Sequence, residues 1–128
     1  MTRLLLVALG GAIGASARYG LGLAAMRLAP NAAWPWGTFL ANVVGGLLMG
    51  LLAGWLALKG GAEQETIRLF AAVGVLGGFT TFSAFSLETV LMIERRQWVL
   101  AGGYVLLSAV LAVAALFAGL AIARRLFA

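Results

Sequence analysis

The chain has 128 residues, of which 63% are hydrophobic and only 10% charged, and a mean hydropathy of +1.06; this leaves no room for a sizeable soluble domain. Cysteine and histidine are both absent, which excludes disulfides, thiolate nucleophiles, imidazole metal ligands and histidine proton relays together. The net charge of +5 comes from basic residues scattered in ones and twos, which fits membrane-flank anchors and excludes a nucleic-acid stripe.

At about 20 residues per crossing, the apolar length predicts four membrane-spanning helices, at 4–28, 36–58, 67–93 and 98–122, in a single transmembrane domain over 1–128. The first apolar run follows Met1-Thr2-Arg3 and resembles a signal peptide at its start, but it outlasts a signal core of about 7–15 residues and reads as a retained span. Within it Gly10, Gly14, Arg18 and Gly22 recur every four residues and so share a face. Arg18 lies well inside the span, where a charge is costly enough to imply a role. Its guanidinium either attracts anions or holds a helix terminus by bonding backbone carbonyls, and the pattern leaves both open.

The first loop, 29–35, carries two prolines. In the second span Asn42, Gly46, Gly50 and Gly54 again recur every four residues. Glycines at that spacing let two helix backbones approach closely, which matters in lipid because no hydrophobic force drives helices together there. Asn42 needs partners for its carboxamide and supplies two N–H donors, so it either glues helices or lines a path. The second loop, 59–66, holds Lys59, Gly60, Gly61, Glu63 and Glu65.

The third span is unlike the others. Gly74, Gly77 and Gly78 precede Thr80, Thr81, Ser83 and Ser86, with Glu88 shortly after. Glycine weakens a helix and hydroxyls compete for its hydrogen bonds, so a break is expected near Gly77 to Thr81. Broken backbone at membrane depth survives only where protein or water covers it, and its freed carbonyls can coordinate a cation. Phe82 and Phe85 share a face, and their ring edges are electropositive. After a tight turn at 94–97, the fourth span places Tyr104 and Ser108 on one face, with Ala112 continuing the line. The two hydroxyls either begin a polar track or, for the serine, bond to its own helix carbonyl.

Trp34, Trp36, Trp55 and Trp98 fall near span ends, where indole rings favour the interface. Four spans put both termini on one side, with Arg3, Lys59, Arg68, Arg124 and Arg125; the other side receives Arg27, Arg95 and Arg96. This bias is weak. It allows either one orientation with both termini inside, or insertion in both orientations with two opposed copies pairing about an axis in the membrane plane.

The motif Gly77-Gly78-Phe79-Thr80-Thr81-Phe82-Ser83-Ala84-Phe85-Ser86 resembles that of the Fluc fluoride channels, the CrcB family. It is supported in order by the segments Gly10 to Tyr19 and Trp36 to Asn42, so the resemblance spans nearly the whole chain. It implies an all-α integral membrane protein of the bacterial cytoplasmic (inner) membrane, in contact with membrane lipid and binding no nucleic acid. Its four transmembrane helices would include a break in the third, and two copies would form an antiparallel dual-topology homodimer with two pores. The function implied is passive, fluoride-selective export that lowers fluoride toxicity. A structural sodium ion would be held by the backbone carbonyls of Gly77 and Thr80, and the fluoride path would follow Asn42, Thr81, Phe82, Ser83, Phe85, Tyr104 and Ser108. Arg18 and Glu88 remain as structural or vestibule residues. Ala84 and Ala112 stand where family members often carry hydroxyls.

The main alternative is a proton-coupled small multidrug transporter, also a four-helix dual-topology dimer. Such exchangers need an embedded carboxylate, typically in the first helix, and the first span has none. A non-transporting assembly subunit would explain the glycine ridges but leave the clustered hydroxyls without a role. No nucleophile and base pair supports an enzyme.

Overall fold

The computed structural model describes residues 2–128, and they are helical apart from short connections. In chain order the elements are α1 (Thr2–Leu28), α2 (Trp36–Lys59), α3 (Gln64–Ile67), a π-helical segment (Arg68–Leu76), α4 (Gly77–Phe79), α5 (Phe82–Glu94) and α6 (Trp98–Phe127). The path from Gln64 to Glu94 acts as one span, so four helices are long and apolar enough to cross a membrane. α6 runs to Phe127, beyond the expected end at 122. Apolarity fades at Arg124 and Arg125, but alanine, arginine and leucine are all good helix formers and nothing there stops the helix.

The bundle divides into two tightly seamed pairs. α1 packs along the π segment and α4, while α2 packs along α6. Glycine makes both seams possible. A methyl group on Gly10 would lie 2.9 Å from the Gly74 Cα, and one on Gly78 would lie 2.7 Å from the Gly11 carbonyl oxygen. In the other seam, a methyl on Gly46 would sit 2.7 Å from the Ala112 carbonyl oxygen and one on Gly119 would sit 2.8 Å from the Leu51 nitrogen. The four-residue ridge of α2 therefore faces α6, and main chain approaches main chain directly.

The third span opens as nine residues of π-helix, long for a form that usually appears as a single wide turn. It then breaks within the predicted window, at its hydroxyl residues and not at its glycines. Gly77 keeps helical angles (φ −62°, ψ −38°), and no glycine among the described residues has a positive φ. The extended residues are Thr80 (φ −82°, ψ 157°) and Thr81 (φ −151°, ψ 123°). Gly74 and Gly78 serve close approach to α1, and β-branched threonines, which favour extended backbone, make the break.

A small apolar core of Phe39, Met92, Ala101 and Tyr104, flanked by Trp34 and Phe85, sits where α2 begins and α5 ends. It fixes the end of the bundle on which the polar groups converge.

Candidate ion path and helix break

The break is held by side chains in place of helical hydrogen bonds. The Thr81 N–H donates to Asn42 Oδ1 at 2.8 Å, and Asn42 Nδ2 donates to the Thr81 carbonyl at 3.0 Å. One carboxamide thus satisfies both backbone groups of the extended residue. Thr81 in turn caps α5: its Oγ1 accepts from the Ala84 N–H at 3.1 Å. A continuous helix would have paired the Thr81 N–H with the Gly77 carbonyl and the Ala84 N–H with the Thr80 carbonyl. Diverting these two donors releases those two acceptors. The Gly78 carbonyl is taken by Arg18, whose Nε donates to it at 3.2 Å, so of the two roles left open for Arg18 the helix-terminus bond is the one formed. Thr80 Oγ1 donates back to the Leu76 carbonyl at 3.0 Å.

Two clefts flank this node. A groove of about 420 Å³ is lined by Asn42, Thr80, Thr81, Phe82, Phe85, Ser108 and Ala112, among mostly apolar neighbours. The rings of Phe82 and Phe85 lie 5.5 Å apart, and Phe82 is 78% exposed. Ser108 is buried and its Oγ has no hydrogen-bond partner among the described residues, so the bond to its own helix carbonyl is not made. Ser83 is exposed and its hydroxyl lies 3.3 Å from that of Thr81. Ser86 bonds the Phe82 carbonyl one turn back.

The second cleft, about 440 Å³, lies between α1, the first loop, α2 and α5. Arg18, Thr38 and Glu88 supply its polar lining beside Trp34, Trp36 and Ala84. The Glu88 carboxylate accepts from Thr38 Oγ1 at 2.6 Å and from the Tyr104 hydroxyl at 2.7 Å. Tyr104 is fully buried, with its ring at 5.3 Å edge-on to Trp34 and 5.2 Å from Phe85. Its hydroxyl is committed to Glu88, so Tyr104 and Ser108, one turn apart on α6, serve different surroundings.

A family model described as CrcB-like protein, Camphor Resistance (CrcB), matches residues 5–120. The chain belongs to the CrcB family. It is 63% identical over 127 residues to a protein of Caulobacter sp. (strain K31), covering 99% of this chain and 98% of that one. A Phenylobacterium zucineum (strain HLK1) protein is 65% identical over 129 residues, with both chains fully covered, and an Agrobacterium fabrum (strain C58 / ATCC 33970) protein is 52% identical over 128 residues. All three relatives carry the name fluoride-specific ion channel FluC.

In this CrcB chain the structure adds Thr38 to the residues picked from sequence. Its signal was available, because Thr38 precedes Asn42 by one turn and shares its face. Of the two positions lacking hydroxyls, Ala112 lines the groove and Ala84 the second cleft. Arg18→Lys keeps the charge but gives up the planar Nε–H fixed on Gly78. It should lower stability by about 1.5–3 kcal/mol, the range for a hydrogen bond to a charged group. Thermal unfolding of the purified variant checks this, and an unchanged midpoint would show that the Arg18 contact holds nothing.

Proposed function

We propose that this CrcB chain is a fluoride-selective channel that exports fluoride passively across the bacterial cytoplasmic membrane, lowering the toxicity of fluoride in the cytoplasm. The observation that carries the reading is full-length identity of 63–65% to relatives named fluoride-specific ion channels.

The geometry supports it. Fluoride is small and tightly hydrated, so its dehydration has to be offset by hydrogen-bond donors along the path. Asn42 Nδ2 carries two N–H groups and one bonds the Thr81 carbonyl, which leaves the other for an ion. The Ser108 hydroxyl and the ring edges of Phe82 and Phe85 line the same groove. None of these bears a full positive charge, which favours release as well as entry. Glu88, the carboxylate a proton-coupled drug exchanger would require, has both oxygens engaged by hydroxyls, which argues for the channel over that alternative.

The functional unit in this reading is an antiparallel homodimer. Support comes from the 78% exposure of Phe82 and from the exposed Ser83 and Gly77 beside it, a polar and aromatic face poorly suited to lipid. The released carbonyls of Gly77 and Thr80 fit a structural sodium ion, a hard cation suited to backbone oxygen. Two copies would offer four such oxygens, and the ion would supply positive charge at the seam.

Purified protein in liposomes, followed with a fluoride electrode, tests the function. Fluoride efflux should be rapid without a proton gradient, with chloride largely retained. Equal chloride loss, or dependence on a proton gradient, would overturn the reading. In the same assay Phe82→Ile should slow fluoride roughly twofold to thirteenfold, matching the 0.5–1.5 kcal/mol of an aromatic edge contact.

A further inference from the structure

We infer that the turn between α5 and α6, through Arg95 and Arg96, is a binding site for the phosphate headgroup of anionic phospholipid. α5 closes with the Arg96 N–H donating to the Ile93 carbonyl at 2.9 Å and the Gln97 N–H to the Met92 carbonyl at 2.9 Å. That closure requires a left-handed residue between the helix and its exit, and glycine is its usual occupant. Here the occupant is Arg96, at φ 59°, the one non-glycine with positive φ among the described residues.

The chain has 18 glycines, and glycine occupies the tight helix seams, as at Gly10, Gly14, Gly46, Gly50, Gly74, Gly78 and Gly119. An arginine kept at a position that strains any side-chain-bearing residue points to a use for that side chain. Arg95 and Arg96 are both exposed, and the ion pair found among the described residues is Glu65–Arg68, at the opposite end of the bundle. Two adjacent guanidinium groups are therefore left without a carboxylate partner. Trp98, 64% exposed, follows two residues later, and the exposed Trp36 begins α2 at the same end. Interfacial indoles set the turn at headgroup depth.

The chemistry of the ligand follows from the donors. Guanidinium forks match phosphate oxygens, and the anionic surface offers phosphates at high local density. Neither cleft includes Arg95 or Arg96. An open turn with no enclosing walls suits a headgroup anchored by its own acyl chains better than a free anion. This inference holds whichever ion the protein conducts.

The test is native mass spectrometry of the full-length protein in detergent, titrated with phosphatidylglycerol and with phosphatidylcholine of the same acyl chains. Phosphatidylglycerol should be retained preferentially. Arg96→Gly should weaken that preference about fivefold, the worth of one arginine at an anionic surface, and Arg95→Ala should do the same. Because Arg96→Gly also relieves the left-handed position, its thermal midpoint should rise while its lipid preference falls, a combination that general destabilisation does not produce. Arg96→Lys should keep most of the preference. An unchanged phosphatidylglycerol preference in Arg96→Gly, or a lowered midpoint, would overturn the inference. So would loss of the preference to excess inorganic phosphate, which would assign the site to the free ion.

Discussion

Asn42→Ala should lose stability and fluoride conduction together, with a stability loss of up to about 2–6 kcal/mol. The carboxamide accepts the Thr81 N–H and donates to the Thr81 carbonyl. Removing it strands two part-buried backbone groups, each at up to about 1–3 kcal/mol. The sequence left Asn42 either gluing helices or lining a path, and the pairing with Thr81 shows that the first role is made. Its acceptor role makes it part of the break itself. Unfolding of the variant in detergent, read alongside liposome flux, separates the two effects. A variant that unfolds like the parent would show that the Asn42 pairing with Thr81 does not hold the break.

Gly14→Ala should be nearly as damaging, at about 3 kcal/mol or more. The new methyl group would fall on the Val75 carbonyl and lie 2.8 Å from the Phe79 nitrogen. Both obstacles are main chain, so no rotamer change relieves them, and α1 has to separate from the third span. Gly20, on the same helix, has nothing within 4 Å of the equivalent position. Gly20→Ala should therefore be neutral or should stabilise by up to about 1 kcal/mol through helix propensity alone. Equal midpoints for the two variants would show that the seam is not glycine-dependent.

Much of this architecture was legible in the chain because membrane helices announce themselves by length and apolarity. The four spans and the glycine ridges needed only a count of residues and a period of four. The position of the break was legible from the clustering of hydroxyls, and of its two expected causes the competing hydroxyls are seen and the loosening glycines are not. Gly77 and Gly78 looked like the loosening residues, but both lie in the helical stretch before the break, and Gly78 serves as a contact point against α1. Pairings across the bundle were beyond reach. Tyr104 and Ser108 look alike on a helix wheel, yet one hydroxyl is fixed on Glu88 and the other has no partner among the described residues. What separates them is the position of α5, which no local pattern records. The nine-residue π segment carries no signal of its own, since its mix of alanine, leucine, valine and one glycine is common to all four spans.

The two seams join first helix to third span and second helix to fourth, and this interleaving has a consequence for biogenesis. When the ribosome has delivered α1 and α2 to the bilayer, neither long seam exists, because both partners are still to come. The first can close only once the stretch through Phe79 has emerged, and the second only after α6. Each helix must therefore be stable on its own as an inserted rod before any tight packing begins. The early chain is held by apolarity alone, and α1 has to insert with Arg18 still unpaired, since its Gly78 carbonyl partner arrives only with the third span.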